Sequence, residues 1–195
     1  MKSIFQEELL KDEEILWMGQ PNPNINFTSM DWFLIPFSIM WGGFAIFWEL
    51  SALGMLFVNS SNETNIPIVF PLFGIPFVIM GLYFIFGRFI YKKWKKRRTY
   101  YAITNKRVLI ITNTNNKKIM AEFIDNIPAI NYSQKSNGIG NIRFGNFNFM
   151  TDMYENTGMD FFSGFSGKSS PAFFDIDNVK EVYTLVNEVR NKNRA

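Results

Sequence analysis

With 195 residues, 47% of them hydrophobic, and a formal charge of +3, the chain has the averages of one ordinary domain. Histidine and cysteine are both absent. This removes Ser-His-Asp and Cys-His catalysis, His/Cys zinc sites and any disulfide framework. The averages conceal a segregation: residues 1–31 carry −4, residues 32–87 carry −2, residues 88–107 carry +9 with no acid among them, and residues 108–195 are neutral.

Residues 1–31 read as a cytosolic N-terminal segment. Because the run before the first apolar stretch is acidic rather than basic, it is unlike a signal peptide, and the apolar part is expected to stay in the mature protein.

Residues 32–91 read as a two-span transmembrane hairpin. Trp32 to Trp48 holds no charged residue, and beyond Glu49 the apolar character continues to Val58. Ile66 to Gly87 has 22 uncharged residues, about 33 Å of helix against a hydrocarbon core of about 30 Å. Asn65-Ile66-Pro67 has the form of a helix start, and a kink is expected near Pro71 to Pro76. Several of Trp32, Trp41, Trp48, Tyr83, Tyr91 and Trp94 fall near the expected interfaces, where amphipathic rings settle. Ser38, Gly42, Ala45 and Glu49 share one helical face, and Pro67, Pro71, Gly74, Gly81 and Arg88 make a similar stripe on the second span. Small residues permit close approach, so the two stripes are expected to pack together.

Residues 92–98 form a basic juxtamembrane linker, which by the positive-inside tendency places both termini in the cytoplasm. From residue 99 to 195 the pattern changes to short β-type runs divided by turn residues. The expected strands are Tyr100–Thr104, Val108–Ile111, Ile119–Ile124, Ala129–Gln134, Ile139–Phe144, Phe147–Tyr154, Met159–Phe165 and Ala172–Ile176. Val179, Val182, Tyr183, Val186 and Val189 then recur at helical spacing behind Asp177, the expected N-cap of a closing amphipathic helix.

Asp12-Glu-Glu-Ile-Leu-Trp17, Gly19-Gln-Pro21, the apolar hairpin, Arg97-Arg-Thr-Tyr-Tyr-Ala-Ile-Thr-Asn-Lys-Arg-Val-Leu-Ile110, Gly138-Ile-Gly-Asn-Ile142 and Phe174-Asp-Ile-Asp-Asn-Val179 together resemble the bacterial pleckstrin-homology (PH) domain family of membrane proteins. The most specific stretch, Tyr101 to Ile110, is similar to that family's first hairpin. The resemblance implies an α+β membrane protein: the hairpin plus a cytosolic PH-like β-sandwich or half-barrel closed by the C-terminal helix. It implies no reaction, and fold alone does not transfer a ligand.

Few motifs in the chain carry chemistry. Phe165-Ser-Gly-Lys-Ser169 lacks the first glycine of a P-loop, and Gly138-Ile-Gly140 is more simply a hairpin turn. Asp152, Glu155 and Asp160 lack EF-hand spacing. The Phe-rich loop at 145–171 reads as core residues or as a surface for lipid or a partner. No catalytic residue, metal or cofactor is therefore expected, and the protein is not expected to be an enzyme. The basic cluster carries the one mechanism in view: Arg88, Lys92, Lys93, Lys95, Lys96, Arg97, Arg98, Lys106 and Arg107 are candidates for anionic lipid headgroups. Its position beside the hairpin disfavours nucleic acid. The expectation is a non-catalytic module at the cytoplasmic face of a bacterial inner or plasma membrane, binding a membrane-protein partner, itself or anionic lipid. The alternative is an accessory component of a membrane enzyme or transporter complex.

Overall fold

The computed structural model describes residues 1–24, 27–59, 67–146, 155–159 and 170–194. They divide into two compact units, one of residues 27–91 and one that joins residues 1–26 to residues 92–195.

The first unit is a helical hairpin. Its arms are α2 (Asp31–Asn59) and α3 (Val69–Leu82); a π-helical turn, Tyr83–Gly87, then leads into α4 (Arg88–Lys96). Two helical runs, Asp31–Phe57 of 27 residues and Val69–Lys96 of 28, are long and apolar enough to cross a membrane. Their outward side chains, among them Trp32, Phe33, Phe44, Phe47, Phe73 and Ile79, are exposed. The helix runs through Pro71 and Pro76, and its irregular turn lies further on, at Tyr83–Gly87. The two expected stripes face each other: Ser38, Gly42 and Ala45 are buried on α2, and Pro71, Gly74 and Gly81 on α3. Backbone meets backbone at Gly81, where an added Cβ would lie 2.8 Å from the Cα of Gly42. Gly81→Leu should therefore force the helices apart and cost about 1–3 kcal/mol. Gly43→Leu, where an added Cβ meets nothing within 4 Å, should stay within about 0.5 kcal/mol. Titrating the loss of helicity with a denaturing detergent measures both.

The second unit is α+β. Its first sheet has the order β1 (Ile15–Gly19), β2 (Thr99–Thr104), β3 (Arg107–Asn113), β4 (Lys117–Phe123); its second has β5 (Ile130–Gln134), β6 (Gly140–Phe144), β7 (Ala172–Ile176). Among the described residues all pairings are antiparallel, and the two sheets do not join into a closed barrel. One apolar core draws on both sheets and on α5 (Val179–Arg194). Tyr101 stacks on Phe173 at 4.5 Å between centroids, and its hydroxyl accepts the Phe174 amide. Val179, Val182, Val186 and Val189 of α5 face this core, as their spacing predicts.

Two details differ from the sequence expectation. The N-terminal residues do not stand apart, because Ile15–Gly19 pairs with β2 as an edge strand. Helix α5 starts at Val179, two residues past Asp177, whose carboxylate accepts the Asn22 side chain at 3.1 Å instead of capping the helix. The expected strand Phe147–Tyr154 lies outside the described residues, and of Met159–Phe165 only Met159 is described.

Candidate functional site

The basic cluster divides by helical spacing. Arg88, Lys92 and Lys96 stand at four-residue intervals and are all buried, at 0%, 4% and 5% exposure. Lys93, Arg97 and Arg98 are exposed, and Lys95 is half-buried. Arg98 lies over the Trp94 ring at 4.3 Å. Lys106 and Arg107, at the β2–β3 turn, are half-buried. The nine candidates thus do not form one surface. Of the nine, Lys93, Arg97 and Arg98 are the exposed ones.

Arg88 and Lys96 each have a carboxylate partner that charge counting did not reveal. In the hairpin unit, Arg88 donates from Nη1 to Asp31 Oδ1, and from Nε to the Phe84 carbonyl at 3.0 Å. Asp31 is itself held by the Thr28 amide at 2.6 Å and hydroxyl at 2.9 Å. The cation also lies 4.2 Å over the Phe89 ring.

In the α+β unit, Lys96 Nζ lies 2.8 Å from Asp175 Oδ2 and donates to the Asn24 carbonyl at 2.8 Å. Asn156 donates to the same carboxylate oxygen at 2.7 Å, and the Asp175 amide donates to Asn141 Oδ1 at 2.8 Å. Burial pushes the Asp175 carboxyl up, but hydrogen bonds from Lys96 and Asn156 and the charges of Lys96 and Lys92 outweigh it. The group is held below the usual carboxylate range. Asp175 also has a left-handed backbone, φ +51°, a conformation that Asp tolerates better than most residues. An acid in the apolar strand Ala-Phe-Phe-Asp-Ile is the sequence signal that could have pointed here and was missed.

A second carboxylate, Glu13, is 7% exposed. It accepts from Arg107 Nε at 2.9 Å and Nη2 at 3.0 Å, from the Thr104 hydroxyl at 2.8 Å and from the Leu10 amide at 2.7 Å. Burial raises its pKa, yet these donors and the Arg107 charge bring it below the ordinary value.

No family model, curated protein or solved structure matches this chain. Its reading rests on its own geometry.

Among the described residues, no three His, Cys, Asp or Glu side chains gather to hold a metal. Glu155, weighed as part of a carboxylate cluster, instead lies 3.4 Å from Arg143 in an ion pair. Asp152, Asp160, Phe147, Phe149, Phe161, Phe162, Phe165 and the Phe165–Ser169 stretch lie outside the described residues. The arrangement can thus do two things chemically. Its buried pairs fix elements far apart in sequence, and its exposed cations offer charge at one end of α4.

Proposed function

We propose that this chain is a membrane-anchored, non-catalytic interaction module. Its apolar hairpin crosses a bacterial inner or plasma membrane twice, and a PH-like domain stands at the cytoplasmic face with both termini. The observation that carries this reading is the exposed apolar belt of the two helices followed in sequence by the exposed Lys93, Arg97 and Arg98. In water such a belt would drive association. In a bilayer it meets lipid tails, and basic residues at its edge meet anionic headgroups, each contributing about 1 kcal/mol. Antiparallel sheets of four and three strands and a closing helix support the PH-like part of this reading, with the apolar hairpin set between β1 and β2 in sequence.

The test is lipid retention by the full chain. Purified in detergent with equal phosphatidylglycerol and phosphatidylcholine, it should keep the anionic lipid preferentially when lipids are counted by native mass spectrometry. Lys93→Gln, Arg97→Gln and Arg98→Gln together should weaken that preference on the order of a hundredfold, from three contributions of about 1 kcal/mol. High salt should weaken it too. Equal retention of both lipids would remove lipid recognition and leave a protein partner.

The alternative, an accessory component of a membrane enzyme or transporter, draws on Glu49. Its Oε2 is buried without a hydrogen-bond partner among the described residues, and a Cβ added at Gly74 would meet it at 1.8 Å. A donor on a neighbouring protein's helix would satisfy such a group.

A further inference from the structure

The outer face of the first sheet, away from the shared core, has its own small apolar cluster. Ala102, Leu109 and Ile111 are fully buried there, beneath Phe5. Phe5 belongs to α1 (Lys2–Gln6), a helix of five residues whose N-cap makes no side-chain hydrogen bond. A helix so short has little stability of its own and persists by what it packs against. Three residues on, Glu8 makes charged contacts: Lys117 Nζ lies 2.6 Å from its Oε1, and Arg107 Nη2 donates to its carbonyl. Residues 1–10 thus occupy the face as an acidic, aromatic-bearing strap.

The strap covers only part of that face. Register places Ile119 opposite Ile111, Ala121 opposite Leu109 and Phe123 opposite Arg107, so this β4 row shares the same side of the sheet. Ile119 and Phe123 are nonetheless exposed, at 40% and 46%. At the strap's other end Asp12 has φ +60°, a turn conformation, and Glu13 is anchored in its ion pair with Arg107. The backbone thus turns between the strap and this anchor, with the Leu10 amide donating to Glu13 Oε2 at 2.7 Å.

We propose that this outer face is a docking surface for an acidic amphipathic segment of a partner protein, and that residues 1–10 are its intramolecular stand-in. The cis occupant shows the chemistry that the face accepts: an aromatic residue in the Phe5 position, a carboxylate three residues later for Lys117, and further apolar side chains. A partner that reaches β4 gains Ile119 and Phe123, which the strap leaves uncovered, and this added burial favours exchange. Lifting the strap at Asp12 opens the face while Glu13 keeps β1 in register. The proposal rests on the interaction-module reading and names the partner's chemistry.

The experiment uses the full chain in nanodiscs of phosphatidylcholine alone, so that its outcome is independent of anionic lipid. The probe is a fluorescent synthetic peptide of residues 1–10, followed by anisotropy. A receptor carrying Phe5→Ser with Glu8→Gln, which loosens its own strap, should bind the peptide at least tenfold more tightly than the unaltered chain. Adding Lys117→Gln to that receptor should weaken binding, and a peptide carrying the same Ser and Gln changes should not bind. Equal binding to both receptors, or none to the loosened one, would overturn the proposal. Hydrogen exchange in the unaltered chain provides a check that needs no variant. Amides of residues 4–10 should exchange at least a hundredfold faster than those of β2 and β3, and equal protection would also overturn it.

Discussion

Replacing Arg88 with alanine should destabilise the helical hairpin by about 3–5 kcal/mol, the range for removing one partner of a buried ion pair. The guanidinium is fully buried, and it bridges the first turn of α2, through Asp31, to the Phe84 carbonyl of the π-helical turn. The wider hydrogen-bonding interval of a π turn is a common local adjustment at such sites. Removing Arg88 strands a buried carboxylate that keeps only Thr28 as donor. Changing both partners, Asp31→Asn with Arg88→Leu, should cost less than Arg88→Ala alone, since neither then leaves an uncompensated charge. Detergent titration of helicity in the full chain measures each form. A loss below about 1 kcal/mol for Arg88→Ala would show that the pair is solvated and does not clasp the hairpin.

The second large effect is expected at Asp175. Asp175→Ala leaves Lys96 and Lys92 buried without the carboxylate, again about 3–5 kcal/mol, and sets an alanine at a left-handed backbone position for about 1–2 kcal/mol more. Asp175→Asn keeps a residue that tolerates this backbone and an oxygen able to accept from Lys96, so it should cost less than Asp175→Ala. Acid should have a related effect. Asp175 and Glu13 are both held below the ordinary carboxylate range in the folded chain, so the unfolded state binds protons more readily. Their contribution is fully present above the unfolded carboxylate value of about 4 and disappears as pH falls through the lower folded values. Thermal unfolding followed by near-ultraviolet circular dichroism should show the midpoint dropping below about pH 4. Asp175→Asn should flatten that drop. An unchanged slope would mean that the Lys96 pair does not set acid stability.

Local pattern and local charge determined several features of this protein. Two long uncharged runs can only be apolar helices, and their small-residue stripes, Ser38-Gly42-Ala45 and Pro71-Gly74-Gly81, meet as their spacing requires. Alternation and turn residues marked the strands from Thr99 to Phe144, and a four-valine stripe marked the buried side of α5. The tertiary structure decided which charges are used up. A block of nine cations reads as one patch when counted along the chain, yet the four-residue interval from Arg88 to Lys96 turns one side inward. The acids that meet these cations lie far off in sequence: Asp31 is 57 residues from Arg88, and Glu13 is 94 from Arg107. The same holds for β1, whose five residues have no strand partner until β2 arrives some eighty positions later. Helical and strand periodicity act between near neighbours and so leave a trace in any short window. Ion pairs and sheet edges act between residues that only the folded chain brings together, and their partners appear only when the chain has closed on itself.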